Sequence, residues 1–257
     1  MSLTEAVNKI RGQKGSKVVL GIAREGEASI LDIAIIRDKI KLNSVDKVEV
    51  FKNKVGYVKL ITFESQNTTR DLEQAIRDLE DKNIQALILD LRYNGGGLLK
   101  NAIDIASLFL SEGEVVHTIG RDGNMNTERV TGRSRFVEKP LVVLMNEGSA
   151  SASEILAGAI KDNKRGVLVG QHSFGKASVQ KVLKLPDGSA VLYTIAKYYT
   201  PSGTDITKKG ISVDHDVKIP TGNIKMMQKP DYIYSFDTDI QLQKAISIAL
   251  NKIRNKS

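Results

Sequence analysis

The chain has no cysteine, no tryptophan and only three histidines among its 257 residues. The missing cysteine removes disulfides, thiolate nucleophiles and cysteine-ligated zinc from consideration. It leaves the compartment open, because reducing and oxidising locations both tolerate cysteine-free proteins. His117, His172 and His215 are scattered, and neither His-x-x-x-His nor His-Glu-x-x-His occurs, so no metal site and no cofactor are expected. No apolar run approaches the roughly 18 to 20 residues that a membrane helix needs. The segment after Met1 lacks the short apolar core of a secretory signal and reads instead as an amphipathic helix.

The balance that remains, 41% hydrophobic and 26% charged residues, is that of a soluble globule. Its length suits one large domain, or one domain with an appendage. A formal net charge of +8 raises the question of nucleic acid or an anionic surface. The lysines are spread along the whole chain among Asp and Glu, however, and no aromatic-basic platform accompanies them. Nucleic-acid binding is not expected.

Apolar periodicity sets the elements. Leu3, Ala6, Val7 and Ile10 share a helical face that Gly12 ends, and Lys17 to Ala23 reads as a strand. Strands are then expected at Asp32–Ile40, Val45–Val50 and Gly56–Phe63, followed by an amphipathic helix from Thr69 to Lys82. Ala86–Leu91 is a continuous apolar run, as in a strand buried on both faces. The turn Asn94-Gly95-Gly96-Gly97 leads into a helix from Leu98 to Leu110. Val115–Ile119 is a strand, and Gly120–Arg135 a polar loop or hairpin. Pro140–Met145 is again a buried strand, and Glu154–Asp162 a helix. Gly166–Gly170 is a strand, and two more flank Pro186-Asp187-Gly188. Tyr198–Gly203 is expected as a loop and Gln241–Arg254 as the closing helix. This alternation predicts an α/β fold with a mostly parallel sheet and helical cover.

Between the strand ending at Met145 and its following helix lies Asn146-Glu147-Gly148-Ser149-Ala150-Ser151-Ala152-Ser153. A strand, a turn of tiny residues and a helix lift a serine to the mouth of a sheet. Its hydroxyl then stands at a helix N-terminus, where free N–H groups can hold an oxyanion. Tight turns also use Gly, Ala and Ser for purely steric reasons. A serine hydroxyl needs a base, and no histidine is well placed to be one. A buried amine can serve, because desolvation disfavours the ammonium form. Lys176 follows Ser151 by 25 residues. At strand spacing Lys176, Ser178 and Gln180 share a face, so Gln180 could orient the amine. The competing reading of Lys176 is an ordinary solvated lysine. The glycine turn supplies a second approach of backbone N–H, from Gly96 or Gly97, to pair with Ala152. A phosphate cradle is the rival reading of these glycines, but the dinucleotide and Walker patterns are both missing.

Four stretches carry a resemblance. They are Leu89-Asp90-Leu91-Arg92-Tyr93-Asn94-Gly95-Gly96-Gly97, Asn146 to Glu154, Phe174-Gly175-Lys176 with Gln180, and Lys197-Tyr198-Tyr199-Thr200-Pro201-Ser202-Gly203. The chain resembles the carboxy-terminal processing, or tail-specific, proteases, which are serine endopeptidases with a Ser–Lys dyad. The resemblance implies Ser151 as nucleophile, Lys176 as general base and Gln180 as its orienter. It implies Gly96 or Gly97 together with Ala152 as oxyanion donors, and Glu154, Asp162 and Ser173 as supporting polar residues. Two departures, Gly95 and Val213 where proline is frequent in relatives, leave the dyad positions intact.

The resemblance further implies an α/β, crotonase-like protease core with a mixed sheet over residues 25–257. Residues 1–24 would then be the last helix and strand of a PDZ domain whose remainder lies outside this sequence. Implied partners are polypeptides with unstructured C-termini. A homo-oligomer, and association with a membrane envelope through regions outside this sequence, are left open. The implied location is extracytoplasmic, in a bacterial periplasm or cell envelope, with any signal segment absent from this chain. Two other readings stand beside it: a catalytically silent peptide- or ligand-binding module on the same fold, and a crotonase-type acyl-thioester enzyme using the glycine turn.

Overall fold

The computed structural model describes residues 2–24, 26–39, 43–132, 134–220 and 235–255. It divides into two compact units, Met1–Leu42 and Asn43–Ser257.

The first unit holds helix α1 (Leu3–Ile10) and strands β1 (Lys17–Ile22) and β2 (Leu31–Ile36). Ser2 opens α1 with a capping box: the Glu5 N–H donates to Ser2 Oγ, and the Ser2 N–H donates to Glu5 Oε2. Arg37 closes it, donating from Nε to the Ile10 carbonyl at 2.7 Å and from Nη2 to Lys9 at 3.0 Å. β1 and β2 pair antiparallel from Lys17↔Ile36 to Ile22↔Leu31. That pairing moves the division of the chain from the expected 24/25 to 42/43, since β2 belongs with β1. β2 is also shorter than the expected Asp32–Ile40, whose last residue lies outside the described ones. None of this unit's described residues is buried. A lone hairpin with one short helix has too little apolar surface to make a core.

The second unit is built on a six-stranded sheet in the order β12-β9-β8-β5-β4-β3. These strands are β3 (Val45–Phe51), β4 (Val55–Leu60), β5 (Ala86–Asp90), β8 (Leu141–Met145), β9 (Val167–Gly170) and β12 (His215–Asp216). All neighbours run parallel except the β3–β4 hairpin. Helices α2 (Thr68–Glu80), α3 (Leu99–Phe109) and α4 (Ala152–Asp162) are the crossovers between parallel strands. Helix α5 (Ile240–Arg254) follows a single 3-10 turn, Phe236–Thr238.

Strand alternation explains the two cores. Leu87, Leu89, Val143 and Met145 join α2, α3 and α4 in one cluster, while Ala86, Ile88, Val142 and Leu144 join α5 in the other. Both faces of the sheet are therefore covered, as continuous apolar runs require.

A separate antiparallel sheet has the order β10-β11-β6-β7, from β6 (Glu114–Gly120), β7 (Met125–Arg129), β10 (Ser178–Lys184) and β11 (Ala190–Tyr199). The polar segment after β6 thus closes as a hairpin. Tyr198 and Tyr199, expected in a loop, end β11 and pair with Thr118 and His117. The turn residues that suggested a loop begin only at Thr200. β4 stops at Leu60, short of the expected Phe63, which bridges Gly97 instead. No helix among the described residues is long and apolar enough to cross a membrane.

Candidate active site

Two strand-to-helix turns meet at the carboxyl ends of β5 and β8, where ligands gather in open α/β sheets. The first runs from Leu91 to Leu98 into α3, and the second from Asn146 to Ser151 into α4. Ser149 joins them, accepting the Asn146 N–H at 3.0 Å and donating to the Leu91 carbonyl at 2.8 Å. The Asn94 carbonyl accepts both the Ala150 N–H at 3.0 Å and the Ser153 hydroxyl at 2.8 Å. In return, Asn146 Oδ1 accepts the Tyr93 N–H at 2.9 Å. The Asn94 amide donates to Leu60 at 2.8 Å, which ties the glycine turn to β4.

Ser151 sits at φ 55°, ψ −115°, a conformation that L-residues rarely adopt. Such strain persists only where surroundings over-determine it, and it marks the sharp elbow expected from the sequence. Ser151 caps α4, so the Ala152 N–H lies in the helix's first turn, where it has no intrahelical acceptor. Gly96 packs directly on this point. A Cβ there would stand 2.7 Å from the Ala152 nitrogen and 2.8 Å from Ser151 Cβ. At Gly97, with φ +145°, a Cβ would meet the Phe63 carbonyl carbon at 2.4 Å. Of the two glycines weighed as donors, Gly96 has its N–H engaged by Asn94 Oδ1 at 2.9 Å. The Gly97 N–H has no acceptor in the described structure.

Glu154 is wholly buried and gathers five donors from three segments. Its Oε1 accepts the Ser173 hydroxyl at 2.5 Å and the Gly175 N–H at 2.6 Å. Its Oε2 accepts the Ser151 N–H at 2.8 Å, the Lys176 N–H at 3.0 Å and the Tyr198 hydroxyl at 3.4 Å. Charge-assisted bonds of this kind hold a buried carboxylate where no cation stands beside it. Burial, reinforced by this carboxylate, pushes the Tyr198 phenol well above its ordinary range. Ser173 is itself buried and accepts the Ile211 N–H at 2.7 Å.

The remaining expected residues stand apart. Lys176 is exposed, and so is Gln180. No hydrogen bond joins the Lys176 amine to Ser151 or to Gln180. The withdrawal from water expected of Lys176 is therefore absent from this arrangement. The inward position is taken by Ala177, 4% exposed, and β10 is the sheet's edge strand, so the residues alternating with Ala177 face solvent. Asp162 lies at the far end of α4, about 15 Å from Ser151 by helical rise. There it accepts the Ser202 N–H and holds the Thr200–Thr204 loop. Among the described residues no three His, Asp or Glu side chains converge as metal ligands.

Just outside this centre, Arg92 donates to both oxygens of Asp90 and to Asp239 and Gln241, linking β5 to the start of α5. Burial works against its charge, but the two carboxylates outweigh that and hold the guanidinium firmly protonated. Tyr198, Asn94 and Asn146 are the site residues that sequence reasoning left without a role. Asn94, at the head of the glycine turn, and Asn146, followed three residues later by a serine before a helix, carried local turn signals, and Tyr198 carried none.

A family model described as peptidase family S41 matches residues 54–217. The chain belongs to this family. It is 44% identical over 225 residues to a carboxy-terminal-processing protease of Bartonella bacilliformis, covering 85% of this chain and 51% of that protein. A carboxyl-terminal-processing protease of Synechocystis sp. is 39% identical over 252 residues, with 96% and 57% covered. Among solved structures, a photosystem II D1 C-terminal processing protease matches with a TM-score of 0.65 and 36% identity, covering 85% of this chain and 60% of that one. The S41 chain thus spans little more than half the length of these relatives. The resemblance drawn from the four stretches is borne out at the level of family and fold.

Proposed function

We propose that the S41 chain is a serine endopeptidase core that cleaves polypeptides near their C-terminal tails. The observation that carries this reading is the Ser151 elbow, with the unclaimed Ala152 and Gly97 N–H groups beside it. Ser151 attacks the peptide carbonyl, and these N–H groups receive the developing oxyanion, each contributing on the order of 3 kcal/mol. Lys176 takes the serine proton and passes it to the leaving amine. Water then resolves the acyl-enzyme by the reverse route. Gln180 orients the amine. Because Lys176 is exposed here, its approach to Ser151 belongs to a rearrangement of the segment leading into β10, driven by bound substrate or a docking domain. In keeping with the family, residues 2–24 are the end of a PDZ domain, and the protein works outside the cytoplasm.

The exposure of Lys176 and Gln180 also favours one rival, a silent peptide-binding module on the same fold. A fluorophosphonate probe separates the two. Covalent labelling that is lost in Ser151→Ala, together with cleavage of an unfolded polypeptide, supports the endopeptidase. Binding of that polypeptide with neither labelling nor cleavage supports the silent module.

A further inference from the structure

A recess lies at the end of the main sheet opposite to Ser151. It is a cavity of about 930 Å³, where β8 and β9 begin and α3, α4 and α5 end. That volume is within the range of small-molecule sites. Among the described residues its lining has five cations, Arg129, Lys139, Lys164, Arg165 and Lys252, against two exposed carboxylates, Glu112 and Glu138. Leu110, Val137 and Pro140 add an apolar wall. Two of the cations are matched: Arg129 pairs with Glu114, and Lys139 with Glu80 at 2.5 Å. Lys164, Arg165 and Lys252 have no described carboxylate at ion-pair distance.

Arg165 is the fixed point of this group. It is half-buried, and three carbonyls hold its guanidinium. Nε donates to Phe109 at 2.9 Å, and Nη2 donates to Phe136 at 2.5 Å and to Lys139 at 2.9 Å. These bonds use three of the five N–H donors and set the plane of the group. The two protons on Nη1 meet no described acceptor. Burial works against the charge, and no described anion offsets it. Helix C-terminal ends favour cations, which accounts for the bond from Arg165 to Phe109 and for Lys252 in the last turn of α5. It leaves Nη1 unmatched.

We propose that this cavity binds a phosphate ester, its anionic head on Arg165, Lys164 and Lys252 and its organic body against the wall of Leu110, Val137 and Pro140. The preset Nη1 protons are charge-assisted donors to an oxyanion. Three unmatched cations suit a head with two or more negative charges better than a single carboxylate. The ester is either a soluble molecule or the head group of a phospholipid, and the chemistry recognised is the same. The inference does not depend on Ser151 being the nucleophile: Ser151 caps one end of α4, and Asn163, at the other end, lines the cavity.

Calorimetric titration of the chain with pyrophosphate at low ionic strength tests this, with acetate as the single-charge control. Pyrophosphate should bind one to one, at least tenfold tighter than acetate. Arg165→Gln should abolish binding. Because that variant also loses carbonyl contacts, a second one changes exposed side chains alone: Lys164→Gln combined with Lys252→Gln should weaken binding at least tenfold. An equal loss of charge at exposed Lys208 and Lys209, which do not line the cavity, should change it less than twofold. No binding by wild type overturns the inference. So does equal weakening by the two double variants, which is the mark of diffuse attraction to a chain of net charge +8. Cosedimentation with phosphatidylcholine vesicles, with and without phosphatidic acid, separates the two sources. Sedimentation that needs phosphatidic acid and is competed by pyrophosphate supports a head group, and pyrophosphate binding without sedimentation supports a soluble ester.

Discussion

The backbones of Ser151 and Lys176 are tied to one oxygen: both N–H groups donate to Glu154 Oε2, at 2.8 and 3.0 Å. The main chain at the proposed base is therefore already docked beside the nucleophile, although the Lys176 side chain lies in solvent. What separates the two groups is side-chain direction and the edge position of β10, not the placement of the elements.

Truncating Lys176 tests whether that amine is needed. Because the side chain is exposed and makes no hydrogen bond in the described structure, Lys176→Ala should leave thermal stability within the roughly 0.5 kcal/mol typical of surface changes. Polypeptide turnover should nevertheless be lost. Unaltered turnover in a purified sample, measured against Ser151→Ala as a blank, would remove lysine from the mechanism.

Glu154→Gln should damage both the fold and the site. An amide presents N–H groups to donors that now meet an acceptor, and at least one buried donor loses its partner. Hydrogen bonds to charged groups are each worth about 1.5–3 kcal/mol, so a loss on the order of 3 kcal/mol is expected. Urea denaturation gives the stability change, and fluorophosphonate labelling of Ser151 should fall with it. A midpoint equal to wild type would mean that the carboxylate is not the hub that joins these segments.

Apolar period made most of the fold legible. Leu72, Ala75, Ile76 and Leu79 are the buried face of α2 read from the sequence, and Ala86–Asp90 is buried on both sides. The Ser151 elbow was legible because a strand, tiny residues and a helix are consecutive. What was not legible depends on pairing across distance. β2 reads like any core strand until its partner proves to be β1. Tyr198 meets Glu154 across 44 residues, and no local pattern encodes that contact. Lys176 and Gln180 are both exposed, and period alone cannot say which face of β10 looks at the serine. An extra residue of β11 opposite Val179 and Gln180 changes the register there as well.

Gly96→Ala should silence the site while leaving the sheet intact. The new Cβ would fall 2.6 Å from the Ala150 carbonyl and 2.7 Å from the Ala152 nitrogen, inside the space proposed for the oxyanion. Its φ of +95° adds backbone strain of roughly 1–2 kcal/mol. Labelling of Ser151 should drop at least a hundredfold, the scale of one lost oxyanion donor. Labelling at the wild-type rate would place the oxyanion elsewhere.

Asp239 links the glycine turn's strand to α5 twice over. It accepts from Arg92 and, through Oδ1, caps α5 at the Leu242 N–H at 3.0 Å. Asp239→Ala should cost roughly 2–4 kcal/mol, since a cap and one partner of a buried cation go together. Asp239→Asn keeps an acceptor for the cap and should cost less. Equal urea midpoints for the two variants would show that the cap adds nothing beyond the ion pair.

The raised Tyr198 ionisation gives the alkaline limit a specific origin. In the unfolded chain the phenol releases its proton near pH 10. In the folded protein, burial and the Glu154 carboxylate delay that release. The folded state therefore binds more protons above about pH 10 than the unfolded one, and stability falls as pH rises. The contribution of Tyr198 is fully present below about pH 10 and is lost as pH climbs toward the folded-state value. The slope reaches at most about 1.4 kcal/mol per pH unit. Tyr198→Phe cannot titrate, so its deficit relative to wild type, measured by urea at pH 9, should shrink at pH 11. A deficit that stays constant between those two pH values would show that the phenol is not held neutral by its surroundings.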